Sequence, residues 1–146
     1  IETHCWSDAL QAFEMYPGSG KLDASVALAV RFRFDGRDRL LATLRALDRE
    51  LGQSGFHYRY SGMPEEEGCF IACSYWMAEA YARLGFVEDA RGRVDALNGA
   101  LGRCQGVLSE MVDPATGHYL GNTPQGLSHL AQVMAMATIA DTQGCP

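Results

Sequence analysis

The stretch Phe70-Ile-Ala-Cys-Ser-Tyr-Trp-Met-Ala-Glu-Ala-Tyr-Ala-Arg-Leu-Gly-Phe-Val-Glu-Asp-Ala-Arg-Gly-Arg-Val-Asp-Ala-Leu-Asn-Gly-Ala-Leu101 decides the fold. Phe70, Cys73, Met77, Ala80, Tyr81 and Leu84 recur at intervals of three and four, the spacing that puts side chains on one face of an α-helix. Gly85 closes that stripe. A second begins at once through Val87, Ala90, Val94, Leu97 and Leu101, with Glu88 and Asp89 in the first turn, where acids complement the helix dipole. So short a join turns the chain back on itself, and the two helices are predicted to be antiparallel neighbours.

The same reading extends outward. Leu40, Leu44, Leu47 and Leu51 mark another amphipathic helix, stopped by Gly52. Asp23 to Phe34 reads as a helix closed by Asp35-Gly36, and Leu127, Leu130, Met134 and Ala137 as the face of one that opens near Pro124. Trp6–Tyr16 fits either a helix or an extended segment, and Pro17-Gly-Ser-Gly20 is a loop. Between residues 107 and 120, the Asp113-Pro-Ala-Thr-Gly117 signal flanked by apolar residues predicts a small hairpin or compact loop. The expected class is all-α, with about five helices in antiparallel pairs and the unusual residues on the loops.

A chain of 146 residues that is 47% apolar and 21% charged fits one globular domain with a real core. The net charge of −6, without a Lys/Arg cluster, argues against a nucleic-acid partner and suits a neutral polar ligand. Apolar runs stop well short of the ~20 residues a membrane helix needs, so no membrane is expected. No charged-then-apolar leader opens the sequence, and a cytoplasmic protein with reduced thiols is the simpler expectation for Cys5, Cys69, Cys73, Cys104 and Cys145. Cys69 and Cys73 share a helix face but have no further donors at zinc-site spacing, and they read as small buried hydrophobes. The first residue is Ile1 rather than Met, from which a piece of something longer is expected.

Glu110 is the first candidate for chemistry, a carboxylate behind a short apolar run and ahead of the Asp-Pro-x-x-Gly turn. A general base for hydrolysis must stay ionised and reach a water molecule, which suits a carboxylate on a loop. Spacing alone does not separate it from a solvated surface Glu. Four segments in order do more. They are Tyr16-Pro-Gly-Ser-Gly-Lys-Leu-Asp-Ala-Ser25, Gly55-Phe-His-Tyr-Arg-Tyr60, Glu66-Glu-Gly-Cys-Phe-Ile-Ala-Cys-Ser-Tyr-Trp76 and Ser109–Leu130. Together they resemble glycoside hydrolase family 15, the glucoamylase- and trehalase-like enzymes, over nearly the whole chain.

The resemblance implies the C-terminal portion of an α/α toroid of six helical hairpins, a single partial domain over residues 1–146. It implies an inverting, exo-acting α-glucoside hydrolase in which Glu110 is the general base, and substrate contacts at Asp23, Arg59, Glu66, Glu67 and Gln125. It implies no cofactor and no metal. The partners implied are an α-linked gluco-oligosaccharide or disaccharide, and either the remainder of the catalytic domain or a second copy. The family's general acid lies in a Trp-Glu motif, which this sequence lacks: Ser7 follows Trp6 and Met77 follows Trp76. The chain alone is therefore expected to be inactive. The alternative is a non-catalytic helical module for sugar binding or assembly. Met111, Thr123, Gly126 and Pro17 depart from the family pattern and leave the substrate open.

The residues also have plainer readings. Asp23 fits a dipole-stabilised residue at a helix start. Arg59 could donate to a sugar or brace Asp23. Glu65 to Glu67 fit a solvated first turn, and Phe70, Tyr75 and Trp76 fit core packing. His118 and His129 read as ordinary hydrogen-bonding residues. In a half-ring, the rows Leu40–Leu51 and Val87–Leu101 are expected to need outside partners.

Overall fold

A computed structural model describes residues 3–32, 34–62, 68–102 and 106–142. In chain order, β1 (Trp6–Ser7) pairs antiparallel with β2 (Ala12–Phe13), Trp6 opposite Phe13. A 3-10 helix (Ala24–Phe32) leads to α1 (Arg37–Leu51), and β3 (Gly52–Gln53) then pairs with β4 (Phe56–His57). Next come β5 (Cys69–Phe70), α2 (Ile71–Arg83), α3 (Val87–Leu101), β6 (Met111–Val112), β7 (Tyr119–Leu120) and α4 (Gly126–Thr142). Strands β5, β6 and β7 form one antiparallel sheet in that order, with Cys69 opposite Val112 and Met111 opposite Leu120.

Helix α2 is the centre. Eleven of its thirteen residues are buried, so it has no solvent face and its neighbours pack around it. Tyr75 near its start bonds Asn98 near the end of α3 at 2.8 Å, while the end of α2 at Arg83 and the start of α3 at Val87 flank the turn. That is the antiparallel pair predicted from the short join. Gln132 of α4 donates to the same Asn98 Oδ1 at 2.9 Å, tying three helices through one polar cluster. Because leaving a partly buried polar group unmatched is costly, this cluster favours one register of the three helices.

The other predicted helices are present, with two corrections, and the open reading of Trp6–Tyr16 is resolved. The segment from Asp23 winds as a 3-10 helix and ends at Phe32 rather than Phe34. Its Arg31 forms an ion pair with Glu79, which is 1% exposed on α2 and also accepts from Arg83. The Trp6–Tyr16 segment is extended, its Phe13 ring edge-on to Trp6 and Phe34. The helix predicted near Pro124 forms, but with a different face inward. Ser128, Ala131, Ala135 and Thr138 are buried, while Leu127, Leu130, Val133 and Met136 lie outside. Small side chains let α4 approach α2 closely, and the large ones cannot fit there.

The rows expected to lack partners are covered within the chain. Leu40, Leu44, Leu47 and Leu51 are at most 2% exposed, and Ala90, Val94, Leu97 and Leu101 are buried as well. The uncovered apolar row is on α4 instead. No helix among the described residues is long and apolar enough to cross a membrane.

Beneath α1 lies a second polar cluster. Arg93 donates to both oxygens of Asp48 at 2.8 and 2.9 Å, Tyr81 donates to Asp48 at 2.6 Å, and His57 Nε2 lies 2.9 Å from it. Burial pushes the Asp48 carboxyl up, but the hydrogen bonds from His57, Arg93 and Tyr81 outweigh it and hold the group well below the usual carboxylate range. Four elements are thereby joined at one charge.

Candidate active site

One isolated bridge and two backbone hydrogen bonds bring the candidate residues together. Asp23 pairs antiparallel with Tyr60 in an isolated bridge, and Ala24 N–H donates to Arg59 O at 2.9 Å. Two loops far apart in sequence are thus held side by side. Ile71 N–H donates to Glu110 O at 3.1 Å, which sets the Glu110 loop against the start of α2. The turn behind Glu110 is closed by Asp113, whose carboxylate accepts from the Ala115 and Thr116 amides and the Thr116 hydroxyl. These bonds, the Thr116 hydroxyl first, lower the Asp113 pKa. The hairpin expected between residues 107 and 120 is therefore real, with β5 added as an unpredicted third strand.

A cavity of about 330 Å³ results, lined by Asp23, Arg59, Phe70, Cys73, Trp76 and Glu110, with Ser25 and Leu127 at its sides. A second, of about 420 Å³, adjoins it and shares Asp23 and Arg59, adding Tyr16, Lys21 and Tyr60. Carboxylates, a guanidinium and aromatic faces converging on one cleft can grip the hydroxyls and the apolar faces of a polar ring.

Asp23 starts the 3-10 helix, as its plainer reading expected, and also lines the cavity. Its Oδ1 accepts the Ser25 amide at 2.8 Å and so starts the helix, while Oδ2 makes no hydrogen bond among the described residues. The Arg59 guanidinium does not brace Asp23 through an ion pair. It lies 5.5 Å from the ring centres of both Tyr60 and Phe70, with its donors unbound among the described residues. Glu110 is half-buried, and its Oε2 accepts the Asn122 backbone amide at 3.2 Å and the Asn122 side-chain amide at 2.8 Å. Gln125 stands one residue before α4, its backbone amide donating to Leu108 O at 2.8 Å, and its side chain has no hydrogen bond to Asp23, Arg59 or Glu110. Glu66 and Glu67 lie outside the described residues.

Three residues read as core, and packed in or against it, also line the cavity. Cys73 and Trp76 share one face of α2 at three-residue spacing, Phe70 of β5 joins them in the lining, and only Tyr75 of the aromatic group is wholly interior. Burial, with the Asp23 charge adding and Arg59 opposing, pushes the Cys73 thiol up to about 12. The cavity floor there is neutral. Cys69 is also buried and raised to about 12, chiefly by burial. His129 behaves as expected, its Nε2 accepting the Leu108 amide at 3.1 Å.

Comparison with known proteins adds the class. No protein-family model matches the chain. It is similar to a trehalase from Mycolicibacterium smegmatis, 35% identical over 130 residues, which is 84% of this chain and 19% of that protein. A trehalase from Mycobacterium tuberculosis is 33% identical over 90% of this chain and 20% of its own length. Trehalase 1 from Sulfolobus acidocaldarius is 30% identical over 95% and 25%. A solved glycosidase matches the fold with a TM-score of 0.79 and 19% identity, covering 96% of this chain and 41% of its own. These likenesses support a glycosidase family, with the fold that of a piece of a helical glycosidase. The chain spans about a fifth to a quarter of the length of the curated relatives it matches.

Proposed function

We propose that this chain is the C-terminal part of the catalytic domain of an inverting, exo-acting α-glucoside hydrolase of the glucoamylase and trehalase type, and that Glu110 is its general base. One observation carries the reading. Glu110 shares a single cavity with two of the other predicted polar residues, Asp23 and Arg59, although the three come from separate loops. The trehalase relatives support a disaccharide as the substrate. In an inverting mechanism the base removes a proton from water as that water attacks the anomeric carbon from the face opposite the leaving group. Asp23 and Arg59 would hold the sugar hydroxyls, the carboxylate accepting and the guanidinium donating. Phe70 and Trp76 would cover an apolar ring face.

The general acid would come from outside this sequence, since no Trp-Glu motif occurs within it. The exposed row Leu127, Leu130, Val133 and Met136 is the surface on which the remainder of the domain, or a second copy, would pack. Assay of the chain on trehalose, maltose and soluble starch, with calorimetric titration of the same sugars, tests this. Sugar binding without turnover, lost or weakened in Glu110→Gln, is the expected result. Robust turnover that requires Glu110 would place the acid within this chain and overturn the partial-domain reading. Absence of sugar binding would favour an assembly module.

A further inference from the structure

We propose that Asn122 is the positioning residue of the Glu110 carboxylate, holding Oε2 so that Oε1 is the oxygen presented to the cavity. This rests on the proposed role of Glu110. The two residues are joined three times: Glu110 N–H donates to Asn122 O at 2.9 Å, the Asn122 backbone amide donates to Oε2 at 3.2 Å, and Asn122 Nδ2 donates to Oε2 at 2.8 Å. The Met111–Leu120 rung of the β6–β7 ladder carries residue 110 to Gly121, and the first bond, one position out of that register, brings Asn122 to Glu110. Oε1 accepts no hydrogen bond among the described residues.

The chemistry of a base explains why this arrangement counts. An ionised carboxylate is acceptor-only, with two equivalent oxygens on a side chain that is mobile in solution. A base that must meet one water in one direction works best with one oxygen occupied and the other open. Two amide donors on Oε2 do this without adding a charge. Gly121 makes the approach possible: a Cβ there would lie 2.9 Å from Oε2 and 3.1 Å from the Glu110 Cβ. Asn122 acts through Glu110 and has no assigned contact with substrate.

Two measurements on the full chain test the assignment. In ¹⁵N spectra the Asn122 side-chain amide is expected to shift, and to exchange faster with water, in Glu110→Ala. An unchanged signal overturns the pairing. Calorimetry with 1-deoxynojirimycin, a cationic sugar mimic, then asks what the pairing does. Asn122→Ala is expected to weaken binding about tenfold, and to have almost no effect once Glu110 is already Ala. Equal loss in both backgrounds would mean that Asn122 merely shapes the loop, and the proposal would fall. If the unaltered chain does not bind the iminosugar, the sugar-site reading fails, while the amide signal still decides the pairing.

Discussion

Asp23 and Tyr60 face each other across a single antiparallel bridge, and that bridge brings the Arg59 side chain into the cleft beside the Asp23 carboxylate. The two residues are separated by the whole of the 3-10 helix, α1 and the β3–β4 pair. Asp23→Ala and Arg59→Ala should each weaken sugar binding at least about tenfold, because each removes a charged hydrogen-bonding group. Arg59→Lys should recover only part of it, since an ammonium lacks the planar fork that lies over Tyr60 and Phe70. Titration calorimetry reads both, and wild-type affinity in the Ala variants would remove these residues from the site.

The Asp48 cluster predicts a pH dependence of stability. Its folded pKa lies below the unfolded value of about 3.9, so between the two the unfolded chain binds more protons. The stabilisation is therefore present above about pH 4 and is lost as pH falls below it. Asp48→Asn should cost about 2–3 kcal/mol at neutral pH, less than a fully interior pair because Asp48 and Arg93 are about a quarter exposed. Denaturant titrations at several pH values should give a flatter acid limb for the variant. An unchanged limb would assign the acid loss to other carboxylates, Glu79 first among them.

Gly121 has a φ of +72° and no room for a Cβ beside Glu110. Gly121→Ala should destabilise the chain by about 1–2 kcal/mol, through backbone strain and the displaced carboxylate. Gly117 has a similar φ of +73° but open space around it, so Gly117→Ala isolates the strain alone. The two variants should differ in sugar affinity even where their melting temperatures match.

The thiols should divide by accessibility. Cys5 is half-buried, whereas Cys69 and Cys73 are interior and held protonated by pKa values of about 12. Iodoacetamide at pH 8 should alkylate Cys5 in the folded chain, and Cys69 and Cys73 only after denaturation. Mass spectrometry of digested samples reads this directly.

The exposed row of α4 should make the isolated chain self-associate. Leu130 and Val133 are 61% and 59% exposed, more than a lone surface Leu or Val would explain when Leu127 and Met136 continue the row. Leu130→Glu with Val133→Glu should return it to a monomer in sedimentation velocity without loss of helical circular dichroism. A wild-type chain that is already monomeric at high concentration would leave that face free.

The helices were legible because each pairs a periodic apolar row with a clear stop, as at Leu84-Gly85 and Leu51-Gly52. α4 was legible as a helix but not in its orientation. It is apolar on both faces, so periodicity could not choose between the Leu127–Met136 row and the small Ser128–Thr138 row. The two-residue strands outside the Glu110 hairpin were not legible, being too short for alternation to register. At the candidate site, Asp23, Arg59 and Glu110, which line one cavity, were singled out through the four matched segments. Asn122 was missed although it lies in the quoted Asn-x-Pro-Gln run, because nothing local announces a bond to a residue twelve positions earlier.

Local patterns by themselves determined the helical class, the α2–α3 turn and the hairpin after Glu110, since each depends on neighbours a few positions apart, while the candidate site residues came from the resemblance carried by the four segments. Tertiary structure alone decided which face of α4 turns inward, how Phe70, Cys73 and Trp76 line the cavity, and which oxygen of Glu110 is held. Those outcomes depend on how closely surfaces distant in sequence can approach, and that is set by the volumes of both partners at once.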